Sequence, residues 1–218
     1  MRLIFFALIV LMIQSCAHLC QTQEKPKTAY QGESKPVTAS TEQFETKSFP
    51  NEPHVIANMV AIVQPELETH LRHKIAVQLS KAIKKYKINP QIMVAIIDTE
   101  SNFNTEKVSE TGDFSLAQIN PEIWNKEFER MKLKTIDKNK LIKNQQYALN
   151  KMAEILEIIK KRHGRRDPYW YARYHSNTKD YKKDYLEKLK LRFKMLASVQ
   201  DLTKKNMRLK SILRDKQA

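Results

Sequence analysis

Glycine is scarce in this sequence: three among 218 residues, Gly32, Gly112 and Gly164. Tight turns between strands draw heavily on glycine. A sandwich, a barrel or a glycine-rich nucleotide-binding fold is therefore not expected. Cysteine is scarcer still. Cys16 and Cys20 are the two, and both lie near the N-terminus. The remaining chain can form neither a disulfide framework nor a thiolate metal site. The six histidines form no HxxxH pair, although a metal held by histidine and carboxylate stays open. Acidic residues are outnumbered, 24 against 39 Lys and Arg, for a formal net charge of +15. With hydrophobic residues at 41% and charged residues at 29%, one packed domain with tails is expected.

The N-terminus reads as an address. Arg2 precedes an apolar run of eleven residues, Leu3 to Ile13. That is too short to span a membrane, which takes ~20 residues, and suits a signal-peptide core. The run ends in Ile13-Gln14-Ser15-Cys16. This resembles the lipobox of bacterial lipoproteins, in which the cysteine receives lipid, although Gln14 is less usual in its place. The alternative is a plain cleaved signal with an incidental cysteine. Residues 1–15 are thus expected to be a signal peptide and Cys16 a lipidation site. The mature protein would be periplasmic, anchored by that lipid to the outer membrane. Export lowers the expectation of a nucleic-acid partner despite the charge. Residues 16–53 read as a disordered tether: residues 17–53 hold four of the eight prolines and few large apolar side chains, too little to form a core.

From about residue 65 the pattern turns helical. Leu71, Ile75, Leu79, Ala82, Ile83 and Tyr86 share one face at helical spacing. Asn89-Pro90 is a start signal, a capping Asn before a Pro at the first helical position. The segment that follows is too densely apolar for a surface helix and is expected to be central. Asn120-Pro121 and Asp167-Pro168 repeat the signal. Ala148, Leu149, Met152, Ile155, Leu156 and Ile159 mark a long helix expected to end at Gly164. A last helix runs through Tyr185, Leu189, Phe193 and Leu196. The stretch Ser109 to Ile119 lacks helical spacing and reads as a loop or small hairpin around Gly112. The expected fold is all-α. A globular domain would cover residues 54–196 and a basic helical tail residues 197–218. Residues 179–218 carry 13 Lys or Arg against 5 Asp or Glu. Such a run is most simply a solvated helix, or else a surface for anionic polymers, acidic lipid or a partner helix.

Glu100 stands out chemically. It follows Ile96 by one turn on the densest apolar helix and precedes Phe103. Apolar surroundings disfavour the charged carboxylate, which suits a general acid. The blander alternative is a Glu that reaches solvent at the helix end. Around it, Glu100-Ser101, Ser109, Gly112, Leu116, Gln118 and Ile119 stand in the order Glu-Ser, then Ser-x-x-Gly, then Leu-x-Gln-Ile. Further on comes Ala172-Arg173-Tyr174-His175-Ser176. The ordered set resembles the catalytic core of bacterial lytic transglycosylases of the soluble, goose-lysozyme-like type, over about residues 65 to 190.

The resemblance implies a lysozyme-like helical fold and an enzyme that acts on peptidoglycan glycan strands without metal or cofactor. Glu100 would first protonate the bond between N-acetylmuramic acid and N-acetylglucosamine. It would then take the proton of the muramyl C6 hydroxyl, closing a 1,6-anhydro ring. Tyr174 would hydrogen-bond Glu100. Gln118 would contact the sugar or brace the loop, and Ser101 and Ser109 would support the site. The protein is taken to be a monomer. Three departures from the family pattern stand out: Asp113 for Ala, Ser115 for Gly and Ala117 for Met. Ser115 bears on the backbone if that position needs a glycine conformation. Asp113 resembles the second carboxyl of C-type lysozymes, and is also an ordinary turn residue beside Gly112. A hydrolytic muramidase using Glu100 and Asp113 is therefore an alternative. A glycan-binding module with weak catalysis is another, and a nucleic-acid or membrane binder has charge alone in its favour.

Overall fold

The computed structural model describes residues 51–215 except Asn177, with side chains as far as Ala197. The signal peptide, the Cys16 lipobox and the tether up to residue 50 lie outside the described residues, as do the side chains of the basic tail. Seven α-helices are described. They are α1 Pro53–Val63, α2 Thr69–Tyr86, α3 Pro90–Ser101, α4 Pro121–Arg130, α5 Lys138–Lys143, α6 Gln145–His163 and α7 Lys179–Asp215. One 3₁₀ turn, Trp170–Tyr174, precedes α7. No strand is present among the described residues. Two isolated antiparallel bridges, Val108 with Phe114 and Phe114 with Ile119, pinch the stretch between α3 and α4. The fold is all-α.

Helix α3 is the axis. The Asn89 side chain accepts from the Gln91 N–H, Pro90 takes the first position, and every residue from Pro90 to Asp98 is buried. A helix apolar all round must be surrounded, and α1, α2 and α7 all pack on it. Helix α6 lies against α2 and the 3₁₀ turn, burying Ala148, Leu149, Met152, Ile155, Leu156 and Ile159. Helix α7 closes the core with Tyr185, Leu189, Phe193 and Leu196 and continues to Asp215.

One buried carboxylate fastens three of these elements. Asp98 on α3 accepts from Gln64 Nε2, just past α1, at 2.7 Å and from Arg192 Nε on α7 at 2.9 Å. Both its oxygens are used, as a buried charge requires.

Three elements differ from expectation. Helix α1 begins at Pro53, inside what the proline-rich composition joins to the tether. Val55, Ile56, Met59, Val60 and Val63 are its buried face. Asp167-Pro168 starts no α-helix. The Asp167 side chain accepts from the Tyr169 N–H and from Arg173, and takes Lys182 from α7, so the chain tightens into the 3₁₀ turn instead. Helix α6 does end at Gly164, but with that residue right-handed. A Cβ there would lie 2.7 Å from the Lys160 carbonyl oxygen, so close approach, not a left-handed cap, is what suits glycine.

Candidate active site

The last turn of α3 delivers Glu100 to a cleft of about 450 Å³. Its other walls come from the 102–120 stretch, the start of α4 and the 3₁₀ turn with the residues after it. The Glu100 side chain is 14% exposed. Its Oε1 is buried and accepts no hydrogen bond from the described residues. Ser101, the next residue, faces inward. Its hydroxyl lies 2.7 Å from the Leu116 carbonyl and 3.1 Å from the Ile97 carbonyl, tying the helix end to the loop opposite.

That loop is built from its own side chains. Asp113 Oδ2 accepts from Ser109 Oγ and Thr111 Oγ1, both at 2.6 Å, and the Asp113 N–H donates back to Ser109 Oγ at 2.9 Å. Gly112, with φ +85°, makes the turn this requires. Phe114 and Ile119 then exchange backbone hydrogen bonds at 3.0 and 3.1 Å. The residues between them must reverse sharply, so Ser115 and Gln118 both take positive φ, +67° and +46°. Gln118 Nε2 spans the bend to the carbonyls of Ser115, at 2.9 Å, and Lys107, at 3.0 Å. It both braces the loop and lines the cleft. Ser115 does occupy a glycine conformation, and the loop forms nonetheless.

Tyr174 sits where the sequence puts it, in the cleft wall, but with another partner. Its hydroxyl donates to the Ala117 carbonyl at 2.7 Å and not to Glu100. Burial, and then the charges of Glu100 and Asp113, push the Tyr174 phenol well above its usual range. The group that approaches Glu100 is the next residue. His175 Nδ1 lies 3.6 Å from Glu100 Oε1. Contact with Glu100 raises the His175 imidazole, against the opposing effect of burial.

Tyr185, read from the sequence as a core residue of the last helix, belongs to this site as well. Its ring stacks on His175 with centroids 4.6 Å apart and planes 11° apart. Its hydroxyl is buried beside the Glu100 carboxylate. Burial and then the nearby Glu100 charge push that phenol well above its usual range. Nothing in the sequence spacing marks it, since 85 residues separate it from Glu100.

The cleft's far side comes from α4. Asn120 caps that helix by accepting from the Glu122 and Ile123 N–H groups, and its amide donates to the Thr111 carbonyl. This fixes Ile123, 62% exposed, and the partly buried Trp124 in the wall. An apolar, partly aromatic surface of this kind suits the face of a sugar ring. Arg173, held by Asp167 at 3.0 Å, adds a positive charge to the wall.

No curated protein and no solved structure matches the chain. The family described as Transglycosylase SLT domain matches residues 78–187, just over half of the chain. The match runs from within α2 to the Tyr185 turn of α7, and so contains every side chain of the cleft. Carrying this domain in an all-helical fold with the Glu100 cleft at its centre, the chain belongs to the transglycosylase SLT domain family, lysozyme-like enzymes that act on the glycan strands of peptidoglycan.

Proposed function

We propose that the protein is a lytic transglycosylase that cleaves the β-1,4 bond between N-acetylmuramic acid and N-acetylglucosamine. Protonated Glu100 gives its proton to the glycosidic oxygen, and the bond from that oxygen to the muramyl C1 breaks. The sugar passes through an oxocarbenium-like state, helped by its own acetamido oxygen. The Glu100 carboxylate then takes the proton of the C6 hydroxyl while that oxygen bonds to C1, leaving a 1,6-anhydro end. One carboxyl acts as acid and then as base.

The observation that carries this reading is the contrast between two carboxyls in one cleft. Glu100 Oε1 accepts no hydrogen bond from the described residues, whereas Asp113 Oδ2 is already taken by Ser109 and Thr111. A reaction needing one carboxyl and the sugar's own hydroxyl fits that division. The hydrolytic alternative keeps one point in its favour, since Asp113 does line the same cleft and a second carboxyl would serve attack by water. Ser101, Gln118 and Tyr174 shape the site as supports. The protein is exported and held at the outer membrane by lipid on Cys16, a reading supported by the short apolar core and the Ile13-Gln14-Ser15-Cys16 sequence.

Purified protein incubated with sacculi, followed by mass spectrometry of the released muropeptides, is the test. The expected ends are anhydromuramyl, lighter by one water than reducing ends. Glu100→Gln is near-isosteric and removes the titratable proton, so the rate should fall at least ~10²-fold. A well-folded Glu100→Gln protein keeping a tenth of the wild-type rate would remove Glu100 from the mechanism.

A further inference from the structure

The reaction proposed above gives no part to Arg173, although its side chain lines the cleft. A partly buried guanidinium needs a counter-charge, and Asp167 supplies it. Its Oδ2 accepts from Arg173 Nε at 3.0 Å, which holds the flat guanidinium in one orientation. The same oxygen pairs with Lys182 from α7, so two cations share one carboxylate. Arg173 is also the inner end of a basic surface. Helix α6 runs out through Lys160-Lys161-Arg162-His163-Gly164-Arg165-Arg166, five Lys or Arg and no acid in seven residues. Lys160 Nζ lies 5.6 Å from the centre of the Trp170 ring, in the 3₁₀ turn that carries Arg173. Burial and then the charge of Arg173 push the His163 imidazole down, with Asp167 opposing and Arg162 and Lys182 adding to Arg173. These groups therefore form one neighbourhood.

Arg173 and Lys182 bring this surface to seven cations, and the carboxylates paired with them are three, Glu157, Glu127 and Asp167. The dipole at the end of α6 is offset by about half a charge, so most of the excess serves no helix. Arg165 and Arg166 are exposed. Such an excess of one sign gathers anions. We propose that this surface binds the carboxylate-bearing side arms of the substrate strand, with Arg173 meeting the arm of the sugar that sits in the cleft. The proposal rests on the transglycosylase reading for the identity of the strand.

Muramic acid differs from its neighbour sugar by a lactyl arm on C3. Through that arm it carries a short peptide, whose free carboxyls are ionised at neutral pH. The strand is thus neutral along its sugars and anionic along its arms. The cleft has the same division. Ile123 and Trp124 offer an apolar face to a ring, and Arg173 offers a charge to an arm. Arginine suits the second task better than lysine, because its fork matches a carboxylate. Arg165 and Arg166 extend the charge outside the cleft, for the further arms of an extended strand.

Binding decides it, read by co-sedimentation with sacculi in a Glu100→Gln background so that the strands stay whole. One batch of sacculi is untreated. In the other, carbodiimide and ammonia have converted the carboxyls to amides. Arg173→Gln, and separately Arg165→Gln with Arg166→Gln, should bind untreated sacculi several-fold more weakly than the parent. On amidated sacculi those differences should vanish. The exposed pair keeps the test open should Arg173→Gln fold poorly. Lys81→Gln with Lys84→Gln is the control, equal in charge to the arginine pair. Both lysines are exposed on α2, which leads into the start of α3, and Glu100 lies about 15 Å from that start. The control should bind like the parent. A control as weak as the arginine pair overturns the proposal, since net charge alone would then explain the loss. A deficit that survives amidation overturns it too, as does a parent that does not sediment with untreated sacculi. Weaker binding to anionic lipid vesicles with sacculus binding intact would assign the surface to a membrane instead. A wild type that releases nothing from sacculi, while the amide-sensitive deficit stands, would sink the transglycosylase reading and leave this surface its ligand.

Discussion

Ser115 holds φ at +67° where the family pattern has glycine. A left-handed residue with a Cβ is strained by about 1–2 kcal/mol. The hydroxyl repays little, accepting from the Ala117 N–H at 3.3 Å. Ser115→Gly should therefore stabilise the protein by about 0.5–1 kcal/mol, the strain relieved less the added chain entropy of glycine. Denaturant melts should show a higher midpoint at unchanged slope; a lower midpoint would mean that the buried hydroxyl matters more than the backbone. Asp113 is the second residue with a clear expectation. Its carboxylate is occupied by Ser109 and Thr111, a role that an amide oxygen can fill in part. Asp113→Asn is expected to keep most of the activity. A dead Asp113→Asn together with reducing muramic acid ends from the wild type would move the protein to the hydrolase side.

Among the elements, α1, α3 and α7 are joined at Asp98. Its carboxylate is 5% exposed and its Arg192 partner 23%. Removing one member of a fully buried pair costs 3–5 kcal/mol; partial exposure of Arg192 lowers the expectation for Asp98→Ala to about 2–3 kcal/mol. Thermal unfolding checks this, and a loss under 0.5 kcal/mol would show the tie to be incidental. Periodicity revealed α2, α6 and the buried face of α7, because each repeats its apolar residues over several turns; α3 was legible from its dense apolar content instead. Cap chemistry located the starts of α3 and α4. The same signal misled at Asp167, whose carboxylate has long-range partners, Arg173 and Lys182, that no local window contains. Helix α1 was hidden by its proline-rich approach. Glu100 was legible because it ends an apolar helix and opens the ordered set Glu-Ser, Ser-x-x-Gly and Leu-x-Gln-Ile. Tyr185 was not, because its approach to the site is made by packing and not by spacing.

For the whole molecule, the proposed setting is a membrane-held enzyme working on an extended polymer. Among the described residues no helix is long and apolar enough to cross a membrane. The proposed attachment rests on Cys16, which lies outside the described residues. Palmitate should label the wild type, and Cys16→Ala should move the protein from the membrane to the soluble fraction or leave its precursor unprocessed. Absence of label from the wild type would replace the lipobox with a plain signal peptide. The net charge of +15 adds long-range attraction to any anionic surface, and salt screens it over about 8–10 Å. Added salt should thus weaken retention on sacculi more than it slows the cleavage of short soluble fragments.

Four of the hydrogen bonds that hold the active-site loop end on main-chain carbonyls. Ser101 takes the carbonyl of Leu116, Tyr174 takes that of Ala117, and Gln118 takes those of Ser115 and Lys107. A carbonyl is the same whatever side chain accompanies it. Ser115 and Ala117 therefore keep these ties although both leave the family's pattern, within the limits set by their burial and, at 115, by the positive φ. The residues that reach across, Ser101, Gln118 and Tyr174, make the ties with their own side chains. The loop's path is thus specified by the donors that hold it more than by the side chains that are held.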